Sequence, residues 1–201
     1  AIHALLYYPL VAWLVGKKSP KIYLGQGADA IMTAMSCNSS LATVPVTLRC
    51  LERMQVSPQS ARLAACVGTN LNNDGITLYE AMAALFLAQA LGFELPMANQ
   101  VLIVVASIIA GAGVAGIPEA GLIVLPLVLS AAGLPDHVII AAIPLIMTVD
   151  WIIARARSGV NVMSDMLVAI LLDVGQVTPV TVSATVSQQS EAASSAKSQL
   201  S

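Results

Sequence analysis

Two stretches of this chain combine charged and amide side chains with otherwise apolar surroundings. Residues 149–165 read Val-Asp-Trp-Ile-Ile-Ala-Arg-Ala-Arg-Ser-Gly-Val-Asn-Val-Met-Ser-Asp and follow a long apolar run. At 3.6 residues per turn, Asp150, Ala154, Arg157, Asn161 and Asp165 succeed one another at steps of four, three, four and four, which places them on one stripe of a helix. Arg155 points away from that stripe. An arginine at membrane depth costs about 2.5–3.5 kcal/mol on insertion scales, so Arg157 needs a carboxylate partner. Its planar fork suits bidentate carboxylate recognition and favours an anionic ligand. Asp165, one turn beyond Asn161, is placed either to hold a sodium ion or to pair with an arginine.

The second stretch, 68–75, reads Gly-Thr-Asn-Leu-Asn-Asn-Asp-Gly and interrupts a long apolar segment. Three asparagines, an aspartate and two glycines make a poor helix. Unwound backbone at membrane depth is tolerated only where it is buried in protein or lines a cavity. Its freed carbonyls and the Asp74 carboxylate are hard oxygen ligands suited to a small cation.

The elements that must position these residues are apolar. Of 201 residues, 57% are hydrophobic and 10% charged, and the mean hydropathy is +0.82. Soluble domains carry about 25% charged residues. Aromatics are only 4%, so the apolar mass is aliphatic and small, as in close-packed membrane helices. A net charge of −2 with no basic patch excludes a nucleic-acid partner. Cys37, Cys50 and Cys66 form no CxxC pair, and His3 and His137 stand alone, so all five are read as structural.

In chain order, residues 1–16 read as the end of a transmembrane helix whose start is missing, and the chain as a fragment of something longer. Lys17, Lys18 and Lys21 then mark the cytoplasmic side. Residues 22–56 hold two half-length apolar segments around a polar tip, 36–40. This reads as a first re-entrant helical hairpin, or alternatively as one kinked amphipathic helix outside the membrane. Residues 61–92 read as a broken transmembrane helix. A second re-entrant hairpin is read at 98–134, around a Gly/Pro tip, and the striped transmembrane helix at 137–172. Residues 177–201 read as a disordered tail. With Lys17, Lys18, Lys21, Arg49, Arg53 and Arg62 on the cytoplasmic side, the turns 93–100 and 133–137 fall outside and contain no Lys or Arg. The expected fold is therefore an all-α, multi-pass integral membrane protein, with two re-entrant helical hairpins and two interrupted transmembrane helices. They would form an inverted repeat, 22–92 and 98–172, around a midplane site.

A soluble rival deserves weighing. Gly111-Ala-Gly113-Val-Ala-Gly116 matches GxGxxG after a β-branched run, and Asp136 lies 20 positions further on. No alternation of strands and amphipathic helices surrounds it, Pro118 follows closely, and the chain is too short of charge for a soluble surface. The glycines are better explained as a hairpin tip that lets backbone approach a ligand.

Four blocks in order resemble the dicarboxylate/amino-acid:cation symporter family over about residues 5–172. They are Asn38-Ser39-Ser40-Leu-Ala-Thr-Val-Pro45; Asn72-Asn73-Asp74-Gly75-Ile76-Thr-Leu-Tyr79-Glu80; Ala115-Gly116-Ile117-Pro118-Glu-Ala-Gly121; and Val149-Asp150-Trp151 with Arg157, Asn161 and Asp165. The resemblance implies a homotrimeric symporter with an elevator-type movement, of which this chain is the transport-domain portion. It implies a transporter rather than an enzyme, with no catalytic residues and no cofactor beyond co-transported sodium. It implies substrate binding by Ser40, the backbone around Ala112 and Gly116, Arg157 and Asn161. One sodium is implied at Gly68, Asn72, Asn161 and Asp165, and another at Asp74, completed by a family helix absent here. Glu80 stands where some members carry a co-transported proton. Departures concern the substrate: Ala154 replaces the aspartate that holds an amino-acid ammonium, Ile76 a threonine, Asn73 a methionine, Leu41 a serine and Ser164 a glycine. The expectation is sodium-coupled uptake, in a plasma or inner membrane, of a small anionic carboxylate, either an acidic amino acid or a C4-dicarboxylate. The alternative is a diverged, non-transporting copy that acts at most as a membrane-embedded binding module.

Overall fold

The computed structural model describes residues 1–114 and 120–175. Among these residues every regular element is helical and no strand occurs. A π-helical turn, His3–Tyr7, runs into α1 (Tyr8–Leu14). Then come α2 (Pro20–Cys37), α3 (Ser40–Arg53) and α4 (Pro58–Arg62). A second π turn, Leu63–Val67, leads through α5 (Gly68–Leu71) to α6 (Asp74–Ala90). The chain ends in α7 (Met97–Gly113), α8 (Ala120–Ala131) and α9 (Asp136–Gly175).

Local chemistry sets these boundaries. Ser19 caps α2, its side chain accepting from the Ile22 N–H, with Pro20 in the first turn; Ser57 and Pro58 open α4 in the same way. Between α2 and α3, Asn38 adopts the left-handed conformation (φ 51°), and Ser39 then caps α3 by accepting from Ala42 N–H at 3.1 Å. That cap starts α3 at Ser40, directly after the tip, and Pro45 lies inside the helix. The interruption between α5 and α6 is also shorter than the 68–75 stretch. It is confined to Asn72 and Asn73, because Asn72 N–H still bonds Gly68 O at 2.7 Å and keeps the preceding turn closed.

The 40-residue α9 organises everything else. At 1.5 Å per residue it is about 60 Å long, roughly twice the hydrocarbon thickness of a bilayer. By length and composition it is the described helix able to cross a membrane. It is also continuous, which corrects the expectation of two interrupted helices: among the described residues only the α5/α6 segment is broken. Its polar residues sit at helical spacing and find partners through their side chains, so nothing requires the backbone to open. Two apolar cores lie along it. One packs α1–α4 against Val162, Met163, Met166 and Ile170; the other packs α6–α8 against Val138, Ala142 and Ile146. The polar stripe falls where the two cores meet. Much of the remaining apolar surface is outward-facing, including Ile109, Ile123, Leu127, Ile140 and Ile152, as expected of helices solvated by lipid.

Candidate functional site

The N-terminus of α3, the α5/α6 break and the start of α8 pack against the middle of α9, the C-terminal end of α7 reaches it through Asn73, and the Tyr8 hydroxyl reaches the break. The stripe residues Asp150, Ala154, Arg157, Asn161 and Asp165 are all buried, between 1% and 6% exposed. They therefore face protein rather than lipid. Arg155 lies off the stripe, donating to Trp151 O at 2.7 Å and stacking on its ring.

Arg157 occupies a crowded niche. Its Cζ lies 4.1 Å from the Tyr79 ring centroid, and Nη1 is 3.5 Å from Asp150 Oδ1 and 4.0 Å from Glu80 Oε1. Both ion-pair distances exceed the roughly 2.7–2.9 Å of a charge-assisted hydrogen bond. Glu80 is fully buried, and neither of its oxygens finds a hydrogen-bond partner among the described residues. Gly121 backs directly onto the guanidinium, where a Cβ would lie 2.6 Å from Cζ. The arginine thus faces two carboxyl groups and is hydrogen-bonded by neither.

A second cluster gathers oxygen atoms around Asp74 and Asp165. Asn72 Nδ2 donates to Asp165 Oδ1 at 3.1 Å, and Gly68 is so close to the same oxygen that a Cβ would stand 2.5 Å from it. Ser164 Oγ donates to Asp74 Oδ2 at 2.7 Å and accepts from Asn72 Nδ2 at 3.0 Å, so the hydroxyl ties Asp74 to the same amide that holds Asp165. The Tyr8 hydroxyl donates to the same Asp74 oxygen at 2.9 Å. Gly68, Asn72, Asp74 and Asp165 are therefore brought together. Of the two roles open to Asp165, pairing with an arginine is not seen: Arg157 pairs instead with Asp150 and Glu80.

Asn161, one turn from Arg157, ties α9 to the α5/α6 break. Its Oδ1 accepts from Gly75 N–H at 2.8 Å, and its Nδ2 donates to Asn73 Oδ1 at 3.1 Å. Ser40, at the start of α3, is 1% exposed and its hydroxyl has no partner among the described residues. The α2–α3 tip is held against α9 beside Arg157, since Ser158 Oγ donates to Asn38 Oδ1 at 3.0 Å. Ala112 is exposed on α7, and Gly116 lies outside the described residues, as does the 177–201 tail. A cavity of about 800 Å³ between the N-terminal turn, α6 and α9 reaches Gly75 and Arg157, but its walls are mostly apolar and include none of Ser40, Asp74, Asn161 or Asp165.

Sequence reasoning missed several partners. Asp150 was on the stripe without a role, although its placement seven residues before Arg157 puts it on the same face and was the available signal. Tyr8 and Tyr79 gave no signal, since an aromatic on an apolar helix reads as packing. Ser164 and Asn73 stood out only as departures from a resemblance.

A model of the sodium:dicarboxylate symporter family matches residues 1–174. The chain is 41% identical over 167 residues to human excitatory amino acid transporter 1, covering 83% of this chain and 30% of that protein. It is 42% identical over 166 residues to excitatory amino acid transporter 3 of Mus musculus, covering 82% and 31%. With excitatory amino acid transporter 5 of Mus musculus it shares 39% over 169 residues, covering 84% and 30%. The chain thus spans about 30% of the length of these relatives. A match across 174 of its residues, in the order α1 to α9, leaves one assignment: the chain belongs to the sodium:dicarboxylate symporter family.

Proposed function

We propose that this chain is the substrate- and cation-binding portion of a membrane symporter that couples uptake of an anionic carboxylate to a sodium gradient. The observation that carries the proposal is the state of Arg157: buried, stacked on Tyr79, and held 3.5 and 4.0 Å from two carboxylates it does not hydrogen-bond. A guanidinium so placed can exchange internal partners for a bidentate substrate carboxylate at little geometric cost. The unpartnered Ser40 hydroxyl, at the positive end of α3, adds a donor for the same anion.

Charge balance then gives a reason for coupling. When a substrate carboxylate takes the guanidinium, Asp150 and Glu80 lose their counter-charge in a buried setting, and an unpaired buried charge is costly. A cation or proton entering with the substrate offsets that cost. The oxygen cluster of Gly68, Asn72, Asp74 and Asp165 is where sodium would bind, with Asn161 between it and the substrate. Hard oxygen ligands are the right chemistry for such an ion. Glu80 is the residue placed to carry a proton. Ala112 and Gly116 would contribute backbone from the second hairpin.

In this reading α2–α3 and α7–α8 are re-entrant hairpins, the segments 22–92 and 98–172 form an inverted repeat, and the full polypeptide works as an elevator-type homotrimer. The family match and the paired order of helical hairpin and long segment support it. Ala154, 1% exposed and one turn from Arg157, brings no carboxylate to an α-amino group, which favours a C4-dicarboxylate over an amino acid. The test is a thermal-shift panel of succinate, fumarate, malate, aspartate and glutamate, each with sodium and with choline. A sodium-dependent rise with at least one of these is expected; no shift with any of them refutes the proposal and leaves a non-transporting copy.

A further inference from the structure

The side chain of Asn73 does something that neither proposed site accounts for. It lies in the α5/α6 break, 2% exposed, and its Nδ2 stands 2.8 Å from Val114 O, 3.0 Å from Gly111 O and 3.4 Å from Asn70 O. Carbonyl oxygens only accept, so the amide orientation is settled: Nδ2 faces them, and Oδ1 faces Asn161 Nδ2 at 3.1 Å. A continuous relay results, from Gly75 N–H to Asn161, from Asn161 to Asn73, and from Asn73 to the end of α7.

Gly111 and Val114 lie at the end of α7, where helix carbonyls lack intrahelical donors. Carbonyls converging within reach of one point make the kind of hard-oxygen cage that also suits a small cation. Here a neutral NH₂ group stands at that point. Steric fit reinforces the seat, because a Cβ on Gly111 would collide with Thr77 Oγ1.

We propose that Asn73 is a positioning residue whose carboxamide fastens the C-terminal end of α7 to α6 and α9 without the help of a cation. The end of α7 is thereby seated before any ion arrives. In the transport reading, on which this consequence rests, sodium is needed to bind substrate but not to seat α7.

The test reads the seating itself. In the full-length polypeptide in lipid nanodiscs, with the exposed Cys37 and Cys66 replaced by serine, Val114→Cys places a thiol at the half-buried end of α7. Its maleimide labelling rate is measured in sodium and in choline. With Asn73 intact, the two rates should agree within about twofold. Asn73→Leu should label at least tenfold faster in choline. The isosteric Asn73→Asp turns a carboxylate toward the carbonyls; it should label faster in choline and return to the parental rate in sodium, a rescue that loss of packing alone would not give. If Asn73→Leu does not purify as a monodisperse protein, Asn73→Asp decides alone.

Parental rates for the variants in choline overturn the proposal. So does an intact Asn73 protein that labels tenfold slower in sodium than in choline. Sodium-driven uptake by the same protein reconstituted in sealed vesicles separates the two readings. Uptake that needs sodium while both variants label like the parent refutes only the fastener. Uptake indifferent to sodium while Asn73→Leu labels fast refutes only the transport reading.

Discussion

Replacing Gly121 with alanine places a methyl group against the Arg157 guanidinium. The added carbon would lie 2.6 Å from Cζ and 2.8 Å from Nη2, and closer still to Nη1. Carbon atoms in contact prefer roughly 3.5–4.0 Å, so Cζ must retreat by about 1 Å and Nη1 by more. The α8 backbone is poorly able to yield, since Leu125, Val128 and Leu129 are fully buried in its core. A long flexible side chain moves more easily, and the fold should survive. The cost falls on recognition: a hydrogen bond to a charged group contributes about 1.5–3 kcal/mol, which at 1.4 kcal/mol per tenfold is about 10- to 150-fold in affinity. Isothermal titration with the best ligand of the panel, alongside a melting curve without ligand, separates the two effects. Affinity within twofold of the parent would show that the guanidinium is not the anion's seat. A drop in melting temperature large enough to account for the lost affinity would show that Gly121 serves packing instead.

Two further substitutions probe the departures from the family pattern. Ala154→Asp restores a carboxylate one turn from Arg157 and should raise affinity for aspartate relative to succinate at least tenfold; an unchanged ratio in competition binding would remove position 154 from substrate selection. Ser164→Gly removes the hydroxyl that joins Asp74 to Asn72. It should shift the sodium concentration for half-maximal thermal stabilisation by about tenfold or more, since one hydrogen bond to a carboxylate contributes about 1.5–3 kcal/mol; an identical midpoint would separate Ser164 from cation binding.

How much of this was legible depends on distance along the chain. The α9 stripe could be read directly because helical period alone places Asp150, Arg157, Asn161 and Asp165 on one face, and all four are buried together. The α5/α6 break was visible in its Gly, Asn and Asp residues, but its two-residue extent was not. That depended on the Asn72–Gly68 bond, which closes the turn before it. Pro45 lies inside α3 because the cap at Ser39 already sets where the helix begins. Contacts across the chain were out of reach. Tyr8 meets Asp74 across 66 positions, and Asn73 meets Gly111 across 38, and nothing local distinguishes those side chains from neighbours that merely pack. Arg157 was expected to need a carboxylate; that it would find two, and hydrogen-bond neither, could only be measured.

In the proposed transport cycle, sodium and an anionic carboxylate meet at α9 and move together. Uptake of a labelled C4-dicarboxylate, with aspartate in parallel, by the full-length protein in sealed vesicles tests it most directly. An inward sodium gradient should drive accumulation of at least one of them, and replacing sodium with choline should abolish it. Equal uptake of both compounds with and without the gradient would contradict the account.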